Sequence, residues 1–159
     1  MTVCVSMPYY GVPELVERAV RSALAQTVHD LHLVVVGDGE EPPLGRIRDT
    51  RLDVFTTHAN HGAYFAHQLV LLASPHEWWA PVDADDWIER DHLARLASKR
   101  NGGSAVVSGA IWFHARSGTT KHHIATYWTG LYGRQRLLSF GGFNPAERVG
   151  QDSLTLHLL

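Results

Sequence analysis

The chain has 159 residues, 45% hydrophobic and 19% charged, a balance that fits one globular domain with a sizeable core and excludes a disordered chain. Its formal charge of -2 gives no electrostatic footprint for unaided nucleic-acid binding, and a lone cysteine, Cys4, excludes an internal disulfide framework. The opening Met1-Thr2-Val3-Cys4-Val5 is not a signal peptide, and no apolar run reaches the ~18–20 residues of a membrane span. A soluble cytoplasmic protein with no integral membrane segment is therefore expected.

Residues 3–7 read as a short apolar strand ending at Pro8-Tyr9-Tyr10-Gly11. Pro13 suits a first helical turn, and Leu15, Val16, Ala19, Val20, Ala23 and Leu24 then recur at helical spacing. Residues 31–36 are a strand of the buried parallel type, stopped by Gly37-Asp38-Gly39. Residues 40–48, with Pro42-Pro43 and Gly45, read as a loop and a short helix, and residues 52–57 as a third strand. A helix over 63–73 stops before Ser74-Pro75, a strand covers 78–82, and a helix covers 90–99. After the turn at Asn101-Gly102-Gly103, residues 105–114 and 122–128 read as two more strands. A short helix over 134–139 precedes Gly141-Gly142-Phe143, and residues 151–159 form an apolar terminal helix.

Alternating strands and helices predict an α/β fold, a mostly parallel central sheet with helices on both faces. Ligands bind such sheets at the carboxyl ends of the strands. Three polar sites fall there: Pro8-Tyr9-Tyr10, Gly37-Asp38-Gly39 and Asp83-Ala84-Asp85-Asp86. The last packs three carboxylates into four residues after the apolar Trp78-Trp79-Ala80-Pro81-Val82. Such charges repel unless neutralised, and a hard divalent cation, Mg²⁺ or Mn²⁺, prefers carboxylate oxygens and leaves positions for phosphate. The competing reading is an acidic turn capping the helix from about residue 90.

The ordered series of motifs resembles family 2 glycosyltransferases with the GT-A nucleotide-sugar-binding fold, a Rossmann-like three-layer sandwich. Val5-Ser6-Met7-Pro8-Tyr9-Tyr10, Ser22-Ala23-Leu24-Ala25-Gln26-Thr27 and Val35-Val36-Gly37-Asp38-Gly39 follow that family's opening strand, helix and Asp-Gly turn. Asn60-His61-Gly62 is similar to its Asn-x-Gly loop, and Asp83-Ala84-Asp85-Asp86 to its Asp-x-Asp region. Gly141-Gly142-Phe143 and Gln151-Asp152 resemble its Gly-Gly-Phe and Glu-Asp elements. The resemblance covers nearly the whole chain, with the nucleotide-binding part over residues 1–100 and the acceptor side over 101–159.

The resemblance implies an inverting, metal-dependent transfer of a sugar from a nucleotide-sugar, a UDP-sugar first, to an acceptor hydroxyl. Asp38 matches the carboxylate that accepts the imino proton of the base, and Pro8, Tyr9 and Tyr10 would lie against that base. A turn aspartate bonding its own backbone, and tyrosines partly buried in the core, are the structural alternatives. Asn60 and Gly62 join the donor site. His67, on the helix that follows, is a further donor contact where relatives carry a basic group. Asp85 matches the direct ligand of Mn²⁺ or Mg²⁺, with Asp83 at the ribose or a metal-bound water. Asp152 matches the catalytic carboxylate, whose general-base role implies single displacement with inversion; an ordinary helix N-cap is its alternative.

Departures from the family pattern also carry expectations. Gln151 stands where the family has Glu, Gly37 where it has Asp, and Gly11 where it has Asn. The chain ends soon after Asp152, which reads as a minimal core or a fragment. Its acceptor site is then open or completed by another subunit, as in a homo-oligomer. The acceptor is a saccharide, a lipid carrier, a protein or modified DNA. Adjacent His122 and His123 point to opposite faces of a strand and share no metal; His58, His61 and His157 read as solvated. A nucleotidyltransferase would need a Gly- and basic-rich phosphate loop where Pro8-Tyr9-Tyr10-Gly11 stands. A haloacid-dehalogenase-type phosphatase would carry its Asp-x-Asp on the first strand. A degenerate core that binds nucleotide-sugar without turnover is the non-enzymatic alternative.

Overall fold

Seven consecutive residues of β1 (Val3–Tyr9) are buried, and this central strand fixes the rest of the architecture. A computed structural model describes residues 1–100, 105–107, 110–114, 119–123, 130–144 and 146. In it, β1 pairs in parallel with β2 (Leu31–Gly37) on one side and β4 (Trp78–Pro81) on the other. The edge strand β3 (Leu52–Thr56) extends β2 in parallel. On the far side, β8 (Gly130–Gly133) runs antiparallel between β4 and β5 (Ala105–Val107). The sheet order is β3-β2-β1-β4-β8-β5, and β6 (Ala110–His114) and β7 (Thr119–His123) form a separate two-stranded sheet.

Strand alternation divides the core into two layers. Val3, Val5, Met7, Leu33, Val35, Ala80 and Leu131 face α1 (Pro13–Leu24) and α3 (His92–Ser98), meeting Val16, Ala19, Val20, Ala23, Leu93 and Leu96. Cys4, Val36, Trp79 and Tyr132 face the other way, toward α2 (Ala63–Ala73), α4 (Arg134–Ser139) and Phe143. Helices thus cover both faces, as the alternating pattern predicts. α1 begins with Pro13 at its first position, carries Glu14 in the first turn and ends with Arg21 in the last, all favourable to its dipole. α2 ends at Ser74, which takes an extended conformation before Pro75. Arg134 then donates to the Leu71 and Leu72 carbonyls at 2.8 and 3.0 Å, satisfying the end of α2.

Some expected elements differ. Residues 40–48 contain a turn but no helix, because Pro42 and Pro43 supply no N–H and Gly45 sits at φ +57°. α3 begins at His92 with Asp91 as N-cap, so residues 83–86 do not cap it. The strand expected over 105–114 is two strands in two different sheets, β5 and β6. The strand expected over 122–128 is β7, ending at His123, and residues 124–128 lie outside the described residues. β8 was absent from the expectation altogether: Gly-Leu-Tyr-Gly offers too little alternation to read as a strand. The helix expected over 151–159 lies outside the described residues. Among the described residues, no helix is long and apolar enough to cross a membrane.

Candidate active site

The turns after β1, β2 and β4 meet because their strands end at matched heights. Tyr9 lies opposite Gly37 in the register, and the Asp38 N–H donates to the Tyr9 carbonyl at 2.9 Å. Ser6 lies opposite Pro81, and the Val82 N–H donates to the Ser6 carbonyl at 3.0 Å. Between the turns lies a cleft of about 300 Å³ lined by Pro8, Tyr9, Tyr10, Val12, Asp38, Ala63, Asp83, Ala84 and Asp85. Larger hollows of about 500 and 410 Å³ border residues 41–54 and the end of α1, where no carboxylates converge with aromatic residues.

Asp38 is 2% exposed, and its two oxygens accept the His61 and Gly62 N–H groups at 2.8 and 2.7 Å. These charge-assisted bonds compensate a buried carboxylate and fix the 60–62 loop against the strand end. Glycine is required on both sides of the contact. At Gly39 (φ +88°) a Cβ would lie 2.6 Å from the Asn60 nitrogen, and Gly62 turns into α2 at φ +95°. The Gly-Asp-Gly turn and the Asn-x-Gly loop are therefore one assembly. Glu40, next along the chain, accepts the Gly11 N–H and so ties the β1 turn to the β2 turn. Burial first, then the Glu40 carboxylate, raises the Tyr9 phenol above its ordinary pKa.

The acidic segment is a β-turn closed by the Asp86 N–H on the Asp83 carbonyl at 3.1 Å. Ala84 packs into the core at 5% exposure, which leaves Asp83 half-buried and Asp85 exposed in the cleft wall. Partial burial of the carboxyl, then the charge of Asp85, raises Asp86 above the usual carboxylate value, opposed by the Arg18 guanidinium. Two cleft carboxylates crowded by a third suit a divalent cation. Among the described residues no three His, Cys, Asp or Glu side chains converge on one point. An ion held by Asp83 and Asp85 would take its remaining ligands from phosphate and water, the usual habit of Mg²⁺.

Of the residues predicted for the donor site, Pro8, Tyr9, Tyr10, Asp38, Asp83 and Asp85 line the cleft. Tyr9 is 3% exposed and part of the core, whereas Tyr10 is 60% exposed at the mouth. Asn60 and Gly62 stand behind the lining, in the loop that Asp38 holds. The expectation for His67 is corrected. It is fully buried between α2 and the sheet, its Nδ1 2.8 Å from the Ser6 hydroxyl and its ring packed on Trp79 and Phe143. Burial alone lowers its pKa to about 3, so it offers no cation to a donor. Asp152 and Gln151 lie outside the described residues. Sequence reasoning missed Glu40 and the apolar wall residues Val12 and Ala63. Their proximity to the flanking turns was their only signal.

The model of the family described as "Glycosyl transferase family 2" matches residues 4–153. The chain belongs to that family. The glycosyltransferase EpsJ of Bacillus subtilis (strain 168), named as uncharacterized, is 26% identical over 121 residues, covering 72% of this chain and 35% of its own. S. aureus TarS 1-349 in complex with UDP-GlcNAc superposes with a TM-score of 0.80 at 17% identity, over 99% of this chain and 53% of that one. Mannosyltransferase PcManGT from Pyrobaculum calidifontis, in complex with GDP-Man and Mn²⁺, gives 0.69 at 19% identity, over 90% and 47%. The fold is accordingly the GT-A arrangement. The chain spans about a third of the curated relative's length and about half of each solved chain.

Proposed function

We propose that this chain is the donor-binding and catalytic core of an inverting glycosyltransferase that takes a UDP-sugar and transfers the sugar to an acceptor hydroxyl. The observation that carries the reading is the convergence of Asp38, Asp83, Asp85 and two tyrosines on one cleft at the strand ends. In this reading residues 1–100 form the donor half and residues 101–159 the acceptor side. Asp38 Oδ1 accepts the His61 N–H and lies 3.5 Å from the Thr57 hydroxyl, whereas Oδ2 accepts the Gly62 N–H and keeps a lone pair for the imino N–H of uracil. Pro8 and Tyr10 border the base, and Tyr9 holds its turn in place from the core.

Asp83 and Asp85 would hold Mn²⁺ or Mg²⁺, which when bound supplies positive charge to the departing diphosphate. Asp152 is the proposed general base. It takes the proton of the acceptor hydroxyl as that oxygen bonds the anomeric carbon and the bond from that carbon to the UDP oxygen breaks. One displacement of this kind inverts the anomeric configuration. The relatives' names support a transferase, and the two structural neighbours are named with nucleotide-sugars.

Titration calorimetry with UDP, GDP and ADP, each with and without Mn²⁺, tests the reading. Metal-dependent binding with UDP strongest is the expected result. Equal affinity for UDP and ADP would overturn base recognition by Asp38, and metal-independent binding would overturn the role given to Asp85.

A further inference from the structure

Between the acidic turn and α3 the main chain forms neither helix nor strand, so residues 86–91 have no ladder of their own. Besides local bonds within the turn and into α3, partners come from α1 and the two residues beyond its C-cap. Arg18 and Ser22 lie one turn apart on that helix, and Gln26, just past its C-cap Ala25, continues the row. Arg18 Nη2 lies 3.5 Å from the Asp85 carbonyl oxygen, and its guanidinium carbon lies 4.0 Å from the centre of the Trp87 ring. The Ser22 hydroxyl donates to the Ala19 carbonyl at 2.8 Å and accepts the Ile88 N–H at 3.2 Å. Gln26 is 4% exposed. Its amide donates to the Glu89 and Ser22 carbonyls at 2.7 and 3.2 Å and accepts the Leu93 N–H at 3.0 Å. The next residue, Thr27, donates its N–H to the Arg90 carbonyl at 3.0 Å.

We infer that the Arg18-Ser22-Gln26 row positions the cation-binding turn: it fixes the height at which residues 83–86 present the Asp85 carboxylate to a donor-borne metal ion. The inference rests on the donor reading above. Without such anchors each ordered loop residue costs about 1–2 kcal/mol of backbone entropy. Repulsion among three neighbouring carboxylates would also spread the turn. Ser22 and Gln26 oppose both through bonds to main-chain atoms, and Arg18 adds its contacts to the Asp85 carbonyl and the Trp87 ring. Its inner end, Gln26, is buried and fully bonded. Its outer end, Arg18, reaches the turn itself and brings positive charge beside it.

These are positioning residues, so the test must separate metal binding from general stability. The Mn²⁺ concentration for half-maximal UDP binding, and uridine affinity in EDTA, would be measured by calorimetry for wild type, Arg18→Ala with Ser22→Ala, and Ser22→Thr. The double variant removes the two outer anchors and leaves the buried Gln26 in place. Its metal requirement should rise about five- to tenfold, as expected for the loss of a net hydrogen bond, with uridine affinity unchanged. Ser22→Thr keeps the hydroxyl and should match wild type. An unchanged metal requirement in the double variant, or an equal loss of uridine affinity, overturns the inference while the donor reading stands. Wild-type binding that ignores Mn²⁺ overturns both.

Discussion

Replacing Asp38 with alanine leaves the His61 and Gly62 N–H groups without their acceptor beside a strand end that admits little water. The Asp38→Ala variant should lose about 1.5–3 kcal/mol for each charge-assisted bond that water does not replace, read in urea unfolding, and should bind UDP more weakly with or without Mn²⁺. Intact stability with weakened binding would mean the loop does not depend on this carboxylate. His67 gives a pH dependence of opposite origin. Its folded pKa of about 3 lies below its ordinary 6.5, so below pH 6.5 the unfolded chain binds a proton that the native core refuses. His67's share of stability is complete above pH 6.5 and declines toward pH 3, by up to about 1.4 kcal/mol per pH unit. Unfolding at pH 7.5, 6 and 5 should show this decline, and His67→Phe should flatten it. An equal slope in the variant would assign the effect elsewhere. Asp38, Asp83 and Asp85 were legible in the sequence because each follows an apolar run that must be a strand. His67 was not: on an apolar helix nothing local tells whether a histidine faces cleft or core, and here the distant Ser6 and Trp79 decide it.

α2 connects the cleft turns to the Gly-Gly-Phe segment. Its N-terminal entry is the loop that Asp38 holds, and midway Gln68 accepts the Phe143 N–H at 2.7 Å and lies 3.4 Å from the Gly141 carbonyl. The Gly-Gly-Phe motif is thereby docked on this helix, with Phe143 buried among Tyr64, His67 and Trp79. Both glycines have positive φ, +91° and +72°, but their surroundings differ. A Cβ on Gly141 meets nothing within 4 Å, whereas one on Gly142 would lie 2.3 Å from Gln68 Oε1. Gly141→Ala should therefore cost only backbone strain, about 1–2 kcal/mol. Gly142→Ala should cost clearly more, because it also expels the Gln68 side chain. Thermal melts of both variants check this, and equal losses would refute the Gln68 contact. The elements most legible in sequence were β1, α1, β2, α2 and β4, whose apolar periods match their burial. The 40–48 helix, β8 and the break between β5 and β6 were not legible. Prolines, glycines and tertiary pairing decide those segments, and no periodicity records that.

At the scale of the molecule, one strand, β1, contributes to both core layers and ends at the cleft, so any ligand bound there bears on the stability of the whole fold. A ligand that binds only the native state stabilises it by about 2.7 kcal/mol at a hundredfold excess over Kd. For a domain of this size that is a rise of about 5–10 °C in Tm. UDP with Mn²⁺ should give such a shift and ADP a smaller one. The same measurement separates donor binding from chemistry. Asp152→Asn should keep the full UDP-dependent shift, because the lost interaction belongs to the transition state. Transfer to an acceptor should nevertheless fall about 10²–10⁴-fold, the usual worth of a positioned base. Near wild-type turnover in Asp152→Asn, or a product of retained configuration, would remove Asp152 from the mechanism. A full donor-dependent shift in wild type, with no transfer to any saccharide, lipid, protein or modified-DNA acceptor, would instead favour a core that binds nucleotide-sugar without turnover.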